Sequence, residues 1–433
     1  MTAALRQQAV AIYQAGLARI TPEYLLREAL SLSGDTLALN FLEGLRSLTL
    51  PPQGRIFLLA VGKAAAPMAM EAQRLLGGRI AEGLVVTKEG FSLPGLPFPA
   101  HECAHPVPDE RGIAAAAEVE RMMGRMGEAD LLLVLVSGGA SALLPAPLEG
   151  ISLTEKQTLA GLMLRTEMDI HQINRVRKAI SRFKGGGLAS LAEPARVVGM
   201  YLSDVPGDDL ASIGSGPTVP EPVNAPAVVE LLKEKGIWEC TPTAVRGVLT
   251  SGAVSKSVPR APLNGLIGAN RHLLRAMAEA ARPAGFHTVV EETPTTGLND
   301  SALPLLLERW RALALAQPSG ALCLISGGET LVEVRGQGMG GRCQELAAMM
   351  MPRLAGEEVF LAAGSDGNDG PNDAAGGVVD QESWRRMEGE DIPYEALLAD
   401  NDSYHLLERS GHLIKVPPTR NNVMDVHMFL RAD

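Results

Sequence analysis

The chain has 433 residues, of which 46% are hydrophobic, 21% charged and 4% aromatic, and its formal net charge is −11. This length predicts two domains at roughly 100–200 residues each, and the acidic balance argues against a nucleic-acid-binding protein, which needs a basic surface. The four cysteines lie far apart and form no C-x-x-C, so we expect reduced thiols and a cytoplasmic protein rather than a zinc site or disulfide framework.

The N-terminal residues 1–20 are amphipathic and predict a helix rather than a signal peptide, and no run of eighteen apolar residues indicates a membrane span. Beyond them, apolar strand-like runs alternate with helix-like runs. The predicted strands are residues 55–61, 83–87, 130–136, 196–203, 263–267, 287–290, 322–326, 331–334 and 359–364. Residues 422–431 alternate at period two and predict an edge or closing strand.

Continuous apolar strands between helices are typical of parallel sheets covered on both faces. We therefore predict an α/β fold with two Rossmann-like three-layer domains, mostly parallel sheets and an interdomain cleft. A weakly patterned polar stretch over residues 241–262 is the best candidate linker. The predicted domains are an N-terminal α/β domain over residues 1–255 and a C-terminal α/β domain over residues 256–433.

Ligands of open α/β sheets bind at the carboxyl ends of the strands, and here those ends become glycine-rich and polar. The first of them carries Lys63, which follows Gly62 at the start of a predicted helix. The helix dipole disfavours a cation at this position. A lysine there makes sense if an anion lies between it and the helix, and the alternative is a solvated lysine on a turn.

Two further strand ends share the sequence Ser-Gly-Gly. Glycine amides and serine hydroxyls in such a turn can surround the oxygens of a phosphate, although a plain tight turn is the alternative. The candidate residues of the two copies are Ser137, Gly138, Gly139, Ala140 and Ser141, and Ser326, Gly327, Gly328 and Glu329.

Carboxylates follow two other predicted strands. Asp204 is the second residue of "SDVPGDDLASIGSGP", which also carries Gly214, Ser215 and Gly216, and Asp366 lies in "AAGSDGNDGPNDAAGG". Carboxylates beside glycine-serine loops suit Mg²⁺ and phosphate oxygens. The second stretch lacks the ligand spacing of an EF-hand, so magnesium or nucleotide binding is the better interpretation than calcium.

Residues 336–341 form a G-x-G-x-x-G between a strand-like and a helix-like run, the context of a dinucleotide-binding turn. Arg342 follows the last glycine, where a guanidinium would present a fork of donors to phosphate oxygens. A local basic face that could receive an anionic substrate, or be an ordinary solvated helix face, consists of Asn174, Arg175, Lys178, Arg182 and Lys184.

Taken together, "GKAAAPMA", "HPVPDE", "VSGGASALL", "SDVPGDDLASIGSGPT", "SGGETLVEVRGQGMGGRCQELA", "AAGSDGNDGPNDAAG" and "PPTRNNVMDVHMFL" resemble the glycerate 2-kinase family, whose C-terminal part is called the MOFRL domain. The resemblance runs in order through nearly the whole chain. It implies two α/β domains with the active site between them. It also implies Mg²⁺-dependent transfer of a phosphoryl group from ATP to the 2-hydroxyl of D-glycerate, giving 2-phospho-D-glycerate and ADP.

The resemblance further implies that Lys63 and Arg342 are the catalytic pair. On our reading Asp204 and Asp366 are candidates for Mg²⁺ ligation or for accepting the hydroxyl proton, and the Ser137–Ser141 stretch holds either ATP phosphates or the substrate carboxylate. The expected partners are D-glycerate and ATP, with a homodimer possible and neither nucleic acid nor membrane involved. The alternatives are an NAD(P)H-dependent hydroxypyruvate reductase using the G-x-G-x-x-G, and a non-catalytic anion-binding protein.

Overall fold

The computed structural model describes residues 2–252, 260–390 and 392–433. The helices are α1 (Thr2–Ala18), α2 (Pro22–Ala29), α3 (Ala65–Leu76), α4 (Glu110–Met123), α5 (Ala140–Leu143), α6 (Leu153–Leu164), α7 (Ile170–Ala179), α8 (Gly187–Leu191), α9 (Ala225–Glu234), α10 (Thr243–Thr250), α11 (Asn270–Ala281), α12 (Asn299–Ala316), α13 (Arg342–Met350), α14 (Gln381–Gly389), α15 (Tyr394–Ala399) and α16 (Ser403–Ser410).

The strands are β1 (Leu30–Ser33), β2 (Thr36–Phe41), β3 (Gly44–Thr49), β4 (Ile56–Val61), β5 (Ile80–Lys88), β6 (Ala100–Cys103), β7 (Leu131–Val136), β8 (Arg196–Leu202), β9 (Leu263–Gly268), β10 (His287–Val290), β11 (Thr295–Leu298), β12 (Leu322–Leu331), β13 (Glu358–Gly364), β14 (Gly376–Asp380), β15 (Leu413–Ile414) and β16 (Asp425–Arg431). They are divided between two compact units, Pro22–Gly268 and Met1–Thr21 with Ala269–Asp433. We call these the parallel-sheet unit and the mixed-sheet unit.

The parallel-sheet unit is built on six parallel strands in the order β6-β5-β4-β7-β8-β9. β4 and β7 are buried along their whole length, because helices cover both faces and every side chain of these strands is apolar. Val61 lies beside Val136, which in turn lies beside Tyr201. The loops after β4, β7 and β8 therefore leave the sheet side by side, at the carboxyl ends of these strands.

Two parts of this unit lie outside the parallel sheet. The strands β1, β2 and β3 form an antiparallel meander, which we did not expect from the sequence because its short strands alternate weakly. Helices α6, α7, α9 and α10 pack around a separate apolar cluster that includes Leu159, Val176 and Val228. The capping boxes at Ser152 and Asp169 define where α6 and α7 begin.

The mixed-sheet unit has strand order β10-β12-β16-β13-β14-β15, with β11 also pairing with β12. The α/β class is confirmed, but this sheet is mixed rather than mostly parallel. Only β10 and β11 run parallel to β12, while the other pairs are antiparallel. A parallel return needs a crossover of roughly a dozen or more residues, usually a helix, and residues 365–375 between β13 and β14 contain none.

Two local expectations for this unit were wrong. The Ser326–Glu329 stretch does not follow a strand, since β12 runs from Leu322 to Leu331 and includes it. The C-terminal strand β16 is central rather than an edge, because it pairs with β12 on one side and β13 on the other. Its alternating pattern misled us because Asp425 and His427 are both buried.

The N-terminal helix α1 belongs to the mixed-sheet unit, where its Tyr13 hydroxyl donates to the Gly364 carbonyl at 2.6 Å. The predicted domain boundary between residues 255 and 256 lies outside the described residues. No helix in the described part of the chain is long and apolar enough to cross a membrane.

Candidate active site

In the parallel-sheet unit, the turns after β4 and β7 are joined by hydrogen bonds. The Lys63 amide donates to the Gly138 carbonyl at 2.9 Å, and the Ala64 amide donates to the Ser137 hydroxyl at 3.0 Å. Gly62 has a φ of 125°, and a Cβ there would lie 2.1 Å from the Ser137 Oγ. Glycine at this position therefore allows the first turn to lie directly against the second.

Lys63 itself is half-buried at the N-terminal end of α3. Its ammonium group forms no hydrogen bond or ion pair with any residue that the structure describes. Its positive charge reinforces the burial that lowers the pKa of His105, and it opposes the burial that raises the pKa of Asp204. An unpaired cation at a helix N-terminus is unfavourable on its own, so the arrangement suits a bound anion.

Asp204 follows β8 and lies against the second turn. A Cβ on Gly138 would lie 2.3 Å from the Asp204 Oδ2, so only glycine fits there. Burial raises the pKa of the Asp204 carboxyl, and the charge of Lys63 partly opposes that rise. A carboxylate with a raised pKa beside a lysine can accept a proton or bind a cation.

The next polar group joins the loop after β7 to the loop after β8. The Ser141 hydroxyl lies 3.1 Å from the Ser215 hydroxyl, and the Ser215 hydroxyl donates to the Asn174 side chain at 3.2 Å. The buried Lys184 ammonium donates to the Ser141 carbonyl and hydroxyl at 2.9 and 2.8 Å. Gly214 packs on Ala140, where a Cβ would lie 3.1 Å away.

The structure thus brings together most of the predicted residues of this unit. Those that meet around the ends of β4, β7 and β8 are Lys63, Ser137, Gly138, Gly139, Ala140, Ser141, Asp204, Gly214, Ser215 and Gly216. Part of the predicted basic face serves the same place, because Asn174 and Lys184 reach Ser215 and Ser141. The cluster offers hydroxyl, amide and ammonium donors, which is the chemistry that binds phosphate or carboxylate oxygens.

In the mixed-sheet unit, the predicted catalytic arginine lies in a carboxylate fork. The Arg342 Nε and Nη2 donate to the two Asp425 oxygens at 2.6 and 2.9 Å, and Nη1 lies 2.9 Å from the Glu329 Oε1. Burial lowers the pKa of the Arg342 guanidinium, but the hydrogen bonds and charge of Asp425 outweigh it and hold that pKa above its ordinary value. Arg342 therefore stays charged and fixed in direction.

The first four amides of the G-x-G-x-x-G before Arg342 are bound within the mixed-sheet unit. The backbone N–H groups of residues 335–339 donate to acceptors on Asp400, Asn401 and Asp402, at 2.7 to 3.0 Å. Cβ atoms on Gly336 and Gly338 would lie within 2.6 Å of this 400–402 turn. The glycines are therefore explained by close packing of the two loops, whereas a dinucleotide-binding turn would keep its amides for a pyrophosphate.

The N-terminus of α13 is occupied as well. Both carboxylate oxygens of the buried Asp369 accept amide hydrogens, from Cys343 at 3.2 Å and from Gln344 at 2.7 Å. Burial raises the pKa of Asp369 to about 7. Asp366, the aspartate that we singled out from the sequence, is more exposed, and its Oδ1 accepts the Asn368 amide at 3.0 Å.

The second Ser-Gly-Gly copy has a packing role in the fold. Gly327 and Gly328 lie in the ladder between β12 and β16, beside Val426 and Asp425. A Cβ on Gly327 would lie 1.8 Å from the Asn270 side chain, whose amide group donates hydrogen bonds to the Val423 and Asp425 carbonyls. A nucleotide-binding role for Ser326, Gly327 and Gly328 stays a prediction, while Glu329 contacts Arg342 directly.

Several contacts of these sites could not be predicted from the sequence. Asp425 and Asp369 stand in quoted motifs, but nothing local indicates that they contact Arg342 and α13. His105 precedes a proline and looked structural; burial and the charges of Lys63 and Lys88 lower its pKa to about 4, so it is neutral at pH 7. A buried lysine such as Lys184 gives no sequence signal beyond its basic neighbourhood.

A magnesium ion is implied by the resemblance, and the described residues contain no group of three or more His, Cys, Asp or Glu side chains able to hold a metal. Mg²⁺ commonly uses only one or two carboxylates together with substrate phosphates and waters. Asp204 fits that mode as a single protein carboxylate beside the donors of the Ser137–Ser141 turn, and Asp366 stays a prediction as a metal ligand.

Comparison with known families gives two matches that together cover most of the chain. Residues 8–250 match a family described as a domain of unknown function, DUF4147, and residues 322–425 match the MOFRL family.

Similar proteins extend over nearly the full length. The chain is 38% identical to a D-glycerate 2-kinase of Thermotoga maritima, over 94% of this chain and 98% of that protein. It is 34% identical to a glycerate 2-kinase of Pyrococcus horikoshii, over 86% and 87%. The crystal structure of a Thermotoga maritima glycerate kinase has a TM-score of 0.88 and 34% identity, over 99% of both chains.

Proposed function

The chain belongs to the glycerate 2-kinase family, and from that premise we propose that it transfers the γ-phosphoryl group of ATP to the 2-hydroxyl of D-glycerate. The products are 2-phospho-D-glycerate and ADP. The observation that carries the proposal for the site is the unpaired ammonium of Lys63 among the strand-end donors. No observation favours the hydroxypyruvate reductase, since the amides of residues 336–339 in the G-x-G-x-x-G already donate to the 400–402 turn.

In the proposed reaction the 2-hydroxyl oxygen of D-glycerate attacks the γ-phosphorus, and the bond from that phosphorus to the β,γ-bridging oxygen breaks. Charge spreads over the transferring phosphoryl oxygens and the leaving ADP, so cations placed near them stabilise the transition state. Lys63 and Arg342 supply those charges. Asp425 binds two nitrogens of Arg342, and Lys63 forms no hydrogen bond or ion pair with the residues that the structure describes.

The Ser137–Ser141 turn and the Gly214–Gly216 turn hold anionic oxygens of ATP or of the glycerate carboxylate. Their hydroxyls and amides are donors, and Lys184 orients the Ser141 hydroxyl from behind. Glycine at 138 allows Asp204 to lie next to the bound oxygens.

Asp204 is the candidate acceptor for the proton that leaves the 2-hydroxyl. Burial raises its pKa and so makes it a stronger base than an exposed aspartate, while the charge of Lys63 opposes part of that rise. Asp366 is the candidate on the mixed-sheet unit. Asp204 or Asp366 would also hold Mg²⁺, which when bound neutralises charge on the β- and γ-phosphates.

A paired assay tests the proposed function. The purified protein is incubated with D-glycerate, ATP and Mg²⁺ while ADP is followed by a coupled reaction, and separately with hydroxypyruvate and NADH or NADPH while nicotinamide absorbance is followed. We expect ADP formation that depends on D-glycerate and no nicotinamide oxidation. Nicotinamide oxidation without ADP formation would replace the kinase by the reductase.

A further inference from the structure

The inference concerns Asp425, the buried carboxylate that contacts Arg342. We propose that Asp425 is the positioning residue for Arg342: it fixes the guanidinium so that its remaining N–H groups face the transferring phosphoryl group. The inference rests on the proposed function, because it gives Asp425 a role in phosphoryl transfer through Arg342.

The contact has the geometry of a bidentate pair. Two nitrogens of one guanidinium edge, Nε and Nη2, meet the two oxygens of one carboxylate, and such forks fix direction as well as distance. The side chain of Asp425 is 1% exposed, whereas those of Arg342 and Glu329 are each 31% exposed. The Asp425 contact is therefore the interior anchor, and the Glu329 contact lies on the solvent side.

The backbone around Asp425 keeps its carboxylate in place. β16 is held between β12 and β13, with Asp425 beside Gly328 and Gly364. Its carbonyl accepts a hydrogen bond from the Asn270 side chain at 3.0 Å. Because a carboxylate on a central strand has little freedom to move, the Asp425 carboxylate sets the orientation of the Arg342 guanidinium.

The N–H groups of Arg342 that do not contact Asp425 are the ones that a ligand can bind. A guanidinium has five N–H groups. Within the described residues, Asp425 accepts hydrogen bonds from two of them, and Nη1 forms an ion pair with Glu329. Two N–H groups on Nη1 and one on Nη2 do not donate to Asp425, and a phosphate can accept hydrogen bonds from two of these. If the Asp425 fork were lost, the guanidinium would keep its charge but lose the direction of these donors.

The test uses Asp425→Asn, which keeps the size of the side chain. One of its oxygens becomes an NH₂ group facing an Arg342 donor, so the fork cannot form. Misplacement of a catalytic group by about 1 Å costs roughly 10²-fold in rate, and we expect kcat to fall about that much. The KM for ATP should change far less. The structural control is Asp380→Asn, because Asp380 is another buried aspartate that is paired with an arginine, Arg6.

A double-mutant cycle separates positioning from general stability. In an Arg342→Ala background, Asp425→Asn should change kcat less than about threefold, because there is no guanidinium left to position. Additive losses in kcat would overturn the proposal. If Asp425→Asn does not fold, Asp425→Glu takes its place, since it keeps the charge but shifts the carboxylate, and wild-type kcat in that variant would also overturn the proposal.

A crystal structure of Asp425→Asn distinguishes failure of this inference from failure of the proposed function. If the wild-type protein does not phosphorylate D-glycerate, the proposed function falls, yet the structure still shows whether Arg342 depends on Asp425. A reoriented Arg342 side chain supports the positioning role. An unmoved Arg342 contradicts it.

Discussion

Substitution of Lys63 by methionine is the sharpest single perturbation of the candidate site. Methionine has a similar length and no charge, and Lys63 has no hydrogen-bond or ion-pair partner among the described residues, so the substitution breaks no hydrogen bond or ion pair, although Asp204 loses a nearby positive charge. Removing a cation from the N-terminal end of α3 relieves an unfavourable dipole interaction of about 0.3–1 kcal/mol. We therefore expect the free energy of unfolding to stay the same or rise slightly.

The catalytic consequence should be large. A positioned cation on a transferring phosphoryl group is worth about 10³-fold or more, which corresponds to about 4 kcal/mol of activation free energy. We expect Lys63→Met to lower kcat by about that factor in the ADP-coupled assay. Lys233→Met, which removes an exposed lysine of α9, is the matched control and should keep wild-type kcat.

Lys63→Met should also raise the pKa of two neighbouring groups. Lys63 lowers the pKa of both Asp204 and His105, so its removal should raise both. If Asp204 is the proton acceptor, the residual activity of Lys63→Met should require higher pH than that of the wild type. Wild-type kcat in a folded Lys63→Met protein would refute the reasoning, and so would a loss of stability with unchanged kcat.

Three further predictions concern buried groups. Asp204→Asn should lower kcat by about 10²–10⁴-fold, the range for loss of a general base, and abolish any rise of kcat with pH; an unchanged pH profile of kcat would exclude Asp204 as the acceptor. Gly138→Ala should lower the free energy of unfolding, measured by urea titration, by about 1–3 kcal/mol, because its Cβ would lie 2.3 Å from Asp204. The control Gly161→Ala lies on α6, where a Cβ meets nothing within 4 Å, and should be neutral or stabilising. Equal effects of the two substitutions would contradict this packing. Burial lowers the pKa of His427 from 6.5 to about 4, so the unfolded chain takes up this proton first, and about 3 kcal/mol of stability should be lost as pH falls from 6.5 to 4. His427→Phe should lose less stability than the wild type over that range. An identical pH dependence of unfolding in the two proteins would refute this prediction.

The strand ends of the parallel-sheet unit could be predicted because their signals are local. Short apolar runs such as residues 131–136, bounded by turn residues, favour buried strands, and the glycine-rich turns follow them directly. Parallel strands place their carboxyl ends at one edge. The meeting of Lys63, Ser137 and Asp204 therefore follows from a short pattern and one rule of sheet topology.

The mixed-sheet unit was harder because its decisive contacts are not local. The glycine loop at 336–341 is explained by the turn at 400–402, about 60 residues away, and the G-x-G-x-x-G letters alone are equally compatible with a pyrophosphate. Arg342 and Asp425 are separated by 83 residues, and Tyr13 reaches Gly364 from the other end of the chain. Composition and periodicity carry no information about such pairs.

Identification of the phosphorylated product is the measurement that tests the central claim most directly. D-glycerate, ATP and Mg²⁺ are converted by the purified protein, and the product is examined by proton-coupled ³¹P NMR. Transfer to the 2-hydroxyl predicts a phosphorus signal split by the single proton on carbon 2. A signal split by the two protons of carbon 3, or ADP formed with no phosphoglycerate, would contradict the account.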